Sequence, residues 1–399
     1  YVITVFNTIQ NLIKEDMIVA GHDVASGGLI TALLELCFSE NDLGAELDLT
    51  ALGELDSFKV LFSENAGIVV QSKNSKIEQI LSESNIEYFN IGKVTGSDVL
   101  SVINRNEVFT LTISRLRDMW YKTSYLLDQK QTANNLAKDR YENYKIQPLQ
   151  YKFPQHFTGK LPVIQSDSSV EAPAKEESEE SHSDPEIATS QAPRNDKRPK
   201  AAILREKGSN SEREMANAMY LAGFDVKDVH MTDLISGRET LEDIQFIGAV
   251  GGFSNSDVLG SAKGWAGAFK YNEKANTALR NFFKREDTLS IGICNGAQLW
   301  MELELINPEH EKHGKLTYND SGKHESAFTS VKIQESNSIM LSSLAGSTLG
   351  VWISHGEGKF DLPYSEDKYD ICAKYSYDDY PHNPNGSDFN TAMMCDKSG

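Results

Sequence analysis

A glycine-x-cysteine-x-glycine step between a strand and a helix constrains this chain more than any other stretch. Residues 288–305 read TLSIGICNGAQLWMELEL. Thr288 to Ile293 suit a short strand, and Asn295 to Leu305 are rich in helix formers, with Leu299, Leu303 and Leu305 on or near one face. Cys294 stands between them, flanked as Gly292-Ile293-Cys294-Asn295-Gly296. A nucleophile at such a junction sits on a sharp elbow that lifts its side chain off the sheet edge. The glycines are needed because side chains there would collide with neighbouring backbone. The helix start then aims free N–H groups and a positive dipole end at the sulfur, which favours thiolate. The plainer alternative is a small buried cysteine in a core strand, where free cysteines usually lie.

The residues around the elbow predict a parallel sheet with crossover helices. Ala201 to Leu204 reads as a strand, followed by a glycine loop and a helix. Ser211 and Glu214 have capping-box spacing, Met215, Met219 and Ala222 make the buried face, and Gly223 ends the helix. Phe224 to Val229 and Phe246 to Val250 are further strands. The second runs into GGFSNSDVLGSAKGWA, residues 251–266. Strands near Phe328 to Ile333 and Val351 to Ser354 complete the sheet. Ligands then sit at the carboxyl ends of the strands, where both the elbow and the Gly251-Gly252 loop lie.

The amino-terminal part reads as a mixed α/β sandwich. Val2, Phe6, Ile9 and Ile13 have helical spacing. Met17 to Ala20 is a strand running into GHDVASGGL (21–29) and then a helix to about Ser39. Such a loop offers Asp23 as a Mg²⁺ ligand and a helix start for phosphate oxygens; the plainer alternative is a glycine-rich turn with an Asp cap. FKVLFSENAGIVV (58–70) reads as strand, turn and strand. Residues 114–140 are mostly helix formers, with Leu116, Met119, Trp120 and Leu127 as a stripe expected to be core.

From about Gln165 to Lys200 the composition turns to Glu, Ser and Pro with few apolar residues. Such a segment buries too little surface to offset ordering entropy and reads as a linker. The expected domains are therefore 1–160, a linker over 161–199, and 200–399. A formal charge of −19 gives no electrostatic footprint for nucleic acid or an anionic membrane. No window approaches an uninterrupted membrane-spanning apolar run. The 4 Cys lack metal spacing and suggest reduced thiols in a cytoplasmic protein. The chain starts at Tyr1 and stops at TAMMCDKSG, in what reads as a strand and turn, so a fragment cut at both ends is expected.

A thiol acting on an acyl group needs a base and an oxyanion hole. The Gly251-Gly252-Phe253 loop and the N–H of Asn295 can supply donors. His355, with Glu357 two positions on in WISHGEG (352–358), is the obvious base. From spacing alone the pair reads equally as a Cys–His–Glu triad or as the wall of the site. His382, in a Pro/Asn turn, is a weaker choice.

REKGSNSERE, GGFSNSDVLGSAKGWA, IGICNGAQ, WISHGEG and NPNGS together resemble the class I glutamine amidotransferase domain, in the flavodoxin-like form carried at the carboxyl end of the phosphoribosylformylglycinamidine synthase family. GHDVASGGL and LFSENAG resemble the second synthase half of that family, with its AIR synthase-like C-terminal domain. The resemblance covers roughly 1–160 and 199–399. It implies a carbon–nitrogen ligase of purine biosynthesis that uses ATP, Mg²⁺, glutamine and formylglycinamide ribonucleotide. It implies Cys294 as nucleophile, with Gly251, Gly252, Phe253, Asn295 and Gln298 as the oxyanion and glutamine-binding group. Asp23 matches a metal-binding Asp. Two places on, the family's nucleotide-contacting Ser is Ala25 here, and the following Asp is Ser26. In the family the triad His and Glu follow the AMM stretch, beyond Gly399. The resemblance therefore makes His355 and Glu357 neighbours of the site and implies that this fragment alone is impaired. Two alternatives stand beside this reading: a glutaminase serving another synthetase, and a non-catalytic docking or ammonia-delivery piece.

Overall fold

The computed structural model describes residues 1–39, 41–155, 157 and 198–399. The expected linker over 161–199 lies, but for its last two residues, outside the described residues. The chain divides into one unit of Tyr1–Gln131 with Ala137–Pro148 and a second of Thr132–Leu136 with Leu149–Gly399. The first unit's last residue, Pro148, thus precedes the acidic stretch.

In the first unit α1 (Val2–Lys14) leads to β1 (Ile18–Asp23), α2 (Gly28–Phe38) and β2 (Gly44–Asp48). Then come α3 (Ser57–Phe62), β3 (Ile68–Ser72), α4 (Lys76–Glu83), β4 (Gly92–Thr95), β5 (Val99–Asn104), β6 (Glu107–Thr112), α5 (Ile113–Asp128) and α6 (Leu136–Asn143). β1 and β3 pair antiparallel; the other four strands form a mixed sheet in the order β4-β2-β5-β6, with β2 and β5 parallel. Its core joins Ile30 and Leu33 of α2 to Leu47, Leu100 and Val102 of the sheet.

Two expectations fail in this unit. Residues 58–62 are helical, not extended, because the Asp56 carboxylate accepts from the N–H groups of Phe58 and Lys59 and so starts α3. The stripe on α5 is not core: Met119, Trp120 and Leu127 are exposed. The buried residues of α5 are instead Ile113, which joins the core, and Arg117, which donates to Asn41 Oδ1 at 2.6 Å and to the Phe38 carbonyl at 3.3 Å. Spacing identifies an apolar face but not what lies opposite it.

The second unit runs β7 (Lys200–Arg205), β8 (Ser209–Asn210), α7 (Glu212–Leu221), β9 (Asp225–His230), α8 (Met231–Ser236), β10 (Phe246–Ala249) and β11 (Gly251–Gly252). It continues with α9 (Lys263–Tyr271), α10 (Glu273–Phe283), β12 (Leu289–Gly292), α11 (Asn295–Glu302), β13 (Lys315–Thr317) and β14 (Glu325–Ile333). Last come β15 (Thr348–His355), β16 (Lys359–Asp361), β17 (Asp370–Tyr375) and β18 (Thr391–Cys395). Four strands form a parallel sheet in the order β12-β10-β7-β9. It carries helices on both faces: Trp265, Phe269, Phe282 and Trp300 pack on one, Met215 and Met219 on the other. That burial on both sides is why residues 201–204 of β7 and all of β10 are continuous apolar runs.

β14 and β15, expected in the parallel sheet, form their own antiparallel sheet in the order β15-β14-β17-β18. No α-helix lies between them to carry the chain across the sheet, and the strands return antiparallel. Ser211 also departs from expectation: it takes φ 73° and makes no side-chain cap, and the capping box is His230–Asp233 at the start of α8. Ala222, expected on the buried face of α7, is exposed.

Candidate active site

β10 and β12 are parallel neighbours, so their carboxyl ends bring two loops side by side. At the end of β12 the Ile293 N–H bonds the Ala249 carbonyl at 3.0 Å. Cys294 then turns with φ 54° and ψ −112°. A non-glycine residue held there stores strain of roughly 1–3 kcal/mol, which the flanking packing must sustain. The glycines explain how. A Cβ on Gly296 would lie 2.1 Å from the Ala249 carbonyl oxygen, and one on Gly292 2.6 Å from that of Gly296. The expected helix end at Leu305 moves back, since Leu303 caps α11.

At the end of β10, Gly251 and Gly252 form β11 and pair with Asn210 and Ser209 of β8. A Cβ on Gly251 would stand 3.2 Å from that of Cys294. Gly252 adopts φ +103°, and its N–H, like that of Asn295, is directed at the Cys294 thiol. Two backbone donors therefore converge on the sulfur. Phe253 follows with its ring exposed, held by its N–H to the Gly208 carbonyl at 2.9 Å. The expected thiolate is not favoured overall. Burial pushes the Cys294 thiol up from its ordinary value, the two N–H groups oppose this, and the Asp257 charge adds to the rise. The sequence shows the helix start but not the depth of the sulfur. Its other close contact is the Ser354 carbonyl at 3.6 Å.

Asn295 and Gln298 are buried in a network under the elbow. Asn295 Oδ1 accepts from the Ser254 N–H at 3.1 Å, and its Nδ2 donates to Gln298 Oε1 at 2.7 Å and Asp257 Oδ2 at 3.3 Å. Gln298 Nε2 donates to the Glu357 carbonyl at 2.8 Å. Asn295 thus offers its N–H to the thiol while its side chain braces the 254–262 loop. Asp257, not singled out from the sequence although it lies in the GGFSNSDVLG run, is raised by burial and by the Glu357 charge.

The His355–Glu357 pair does not form a dyad. His355 Nδ1 lies 3.3 Å from Asn319 Oδ1, and its carbonyl accepts from Asn319 Nδ2 at 2.8 Å. The Glu357 carboxylate instead accepts from the backbone N–H of Ser261 and from its hydroxyl at 3.1 Å. His355 ends β15 and Gly356 begins a turn, so residues two apart no longer share a face. Burial, helped by His324, pushes the His355 imidazole down to about 4. At neutral pH it is uncharged. Its folded value lies below its unfolded value of about 6.5, so the unfolded chain binds more protons between those limits. Stability from this group is complete above about pH 6.5 and is lost as pH falls towards 4. Urea melts at pH 7 and pH 5 should therefore show His355→Gln losing about 1–2 kcal/mol less than the parent chain.

In the first unit Asp23 ends β1 with its side chain largely exposed; His22 bonds Glu35 at 2.9 Å. The expected phosphate cradle at α2 is already engaged. The Gly27 N–H donates to Glu64 Oε1 at 2.9 Å and the Gly28 N–H to the Ala25 carbonyl at 3.0 Å. Among the described residues no cluster of three His, Cys, Asp or Glu is arranged to hold a metal, and no helix is long and apolar enough to cross a membrane.

The sequence matches the CobB/CobQ-like glutamine amidotransferase domain over residues 198–399. The chain belongs to that glutamine amidotransferase family. Residues 3–104 match the C-terminal domain of AIR synthase related proteins. Among the curated relatives of this amidotransferase chain are proteins named phosphoribosylformylglycinamidine synthase. The protein from Arabidopsis thaliana, called a probable one of chloroplast or mitochondrion, is 36% identical over 100% of this chain and 28% of its own length. The human protein is 33% identical over 99% of this chain and 30% of its own. The chain thus spans under a third of the curated relatives it matches. The PurLQS structure from Thermotoga maritima is similar over 51% of this chain and 84% of its own, at 25% identity and a TM-score of 0.41. Both domains expected from the motifs are present, in the expected order.

Proposed function

We propose that this chain supplies the glutaminase, and part of the synthase, of an ATP-dependent ligase. That ligase converts formylglycinamide ribonucleotide and glutamine to formylglycinamidine ribonucleotide in the cytoplasm. The observation that carries the reading is the convergence of the Gly252 and Asn295 N–H groups on a strained, glycine-flanked Cys294. The Cys294 sulfur attacks the side-chain carbonyl of glutamine, and those two N–H groups receive the charge that develops on its oxygen. Ammonia leaves, and water releases glutamate from the thioester. His355 is uncharged but is turned to Asn319 and away from Glu357, which supports its reading as a site wall; the base is then contributed from outside these residues. Ammonia next displaces the oxygen of an amide that ATP has activated.

Asp23 suits Mg²⁺ as a single exposed carboxylate, because that ion commonly takes one or two carboxylates beside phosphate oxygens and water. The metal would draw charge from the phosphates. The loop through Ala25 would lie against the nucleotide, while the engaged Gly27 and Gly28 N–H groups leave the phosphates to other donors.

The test is covalent. A γ-diazoketone analogue of glutamine should alkylate Cys294 among the four cysteines, and free glutamine should protect it, as read by peptide mass. Alkylation elsewhere, or none at Cys294 even in full-length synthase, would support a docking or ammonia-delivery piece instead.

A further inference from the structure

β17 and β18 pair antiparallel with Asp370 opposite Cys395 and Ile371 opposite Met394; the next pair joins Ala373 to Met393. Cys372 is passed over at this irregularity, and its side chain turns to the same place as that of Cys395. Both sulfurs approach one carbonyl, that of Asp370, at 3.6 Å from Cys372 and 3.8 Å from Cys395. They are also within hydrogen-bond reach of each other. Around them the segment 336–338 closes a polar wall. Asn337 Oδ1 accepts from the Cys395 thiol at 3.2 Å, and the hydroxyls of Ser336 and Ser338 face Cys372. Cys372 is buried and Cys395 partly exposed, so the two differ in access while sharing a proton environment.

We propose that Cys372 and Cys395 form a reversible dithiol–disulfide site, oxidised by a small peroxide, that is separate from the Cys294 chemistry. The physical setting suits each role. As a thiolate, Cys372 would accept from the Cys395 S–H and the two serine hydroxyls, and this holds its thiol down at about 7. The pair therefore parts with its first proton near neutrality, and the thiolate is the form that reacts. The Cys372 thiolate is therefore the sulfur that meets the oxidant, while Cys372 and burial push the Cys395 thiol up and keep it protonated. The Cys372 sulfur bonds one peroxide oxygen as the O–O bond breaks, and the departing hydroxide takes the Cys395 proton as water, leaving a sulfenic acid beside a thiolate. The Cys395 sulfur then attacks that of Cys372; the S–S bond forms, the S–O bond breaks, and the departing hydroxide takes up a proton as water. Two thiols and one hydrogen peroxide give one disulfide and two waters. A sulfenic acid beside a second thiol follows this course in preference to further oxidation. Dithiothreitol returns both thiols by exchange.

The experiment uses the 399-residue chain. It is treated with an equivalent of hydrogen peroxide, blocked with N-ethylmaleimide, digested and weighed. Expected is one linked peptide pair containing Cys372 and Cys395, lighter by two hydrogen atoms, with labelling lost at both positions and restored by dithiothreitol. Cys395→Ser should remove the link while Cys372 remains detectable. Independent maleimide labelling of the two after peroxide, sulfinic acids without a link, or linkage to Cys37 or Cys294 instead would overturn the proposal.

Discussion

Cys294→Ser should abolish use of glutamine and spare use of ammonia. Serine keeps the shape of the side chain, so the elbow with φ 54° and the N–H groups of Gly252 and Asn295 remain in place. What goes is the nucleophile: a hydroxyl without a paired base is far less nucleophilic than a thiol. Losing one member of a nucleophile–base set costs on the order of 10⁴–10⁶-fold in turnover. Glutamate release and amidine formation from glutamine should both fall by that factor in full-length synthase, while amidine formation from ammonium chloride stays within a few-fold of the parent. Loss of both activities would mean that the two reactions do not occupy separable sites, and the assignment of Cys294 to glutamine alone would fail.

Gly296→Ala should be the most damaging single methyl in the amidotransferase unit. Its Cβ would lie 2.1 Å from the Ala249 carbonyl oxygen and 2.5 Å from the carbonyl carbon. Both belong to the backbone of β10, which the parallel sheet and two packed faces hold rigid. The helix must move instead, and overpacking of this kind costs roughly 3 kcal/mol. The movement carries Asn295 and Cys294 with it, and misplacing a reacting group by about 1 Å costs about 10²-fold in rate. A control lies one helix away. At Gly267 in α9 the added Cβ meets only Tyr271 ring carbons, the nearest at 3.8 Å. Gly267→Ala should leave turnover unchanged and stabilise by up to about 1 kcal/mol. Thermal melts of both variants decide the matter, and similar melting for the two would refute the account of the elbow.

The elbow was legible because its requirement is steric and local. Glycines at 292 and 296 around a cysteine leave few backbone paths, and those paths appear in the sequence as letters. The parallel strands were legible for a similar reason, since Ala201 to Leu204 of β7 and all of β10 are apolar. What the sequence hid was set at longer range. The depth of Cys294, which reverses the expected thiolate preference, depends on loops distant in the chain. The separation of His355 from Glu357 follows from a turn that begins between them, with Asn319 and Ser261 as the partners that draw them apart. Glu64, which fills the start of α2, is remote from that helix in sequence. At residues 58–62 the letters FKVLF suit a strand as well as a helix, and the Asp56 cap decides between them.

The segment ahead of the acidic stretch has a further consequence. Lys152 exchanges backbone hydrogen bonds with Thr348 at 3.0 and 2.8 Å, and Tyr151 lies against Gly350, so this piece is stitched to the edge of β15. The chain has therefore rejoined the amidotransferase unit before the Glu/Ser/Pro-rich run begins, and β7 opens in the same unit after it. Topologically that run closes on the unit it leaves, and the covalent passage between the two units is made upstream, around residues 131–149. The length of the acidic run then governs a ring-closure entropy and not the reach of a tether. Halving it should shift the amidotransferase unit's stability by only about 0.6 kcal/mol.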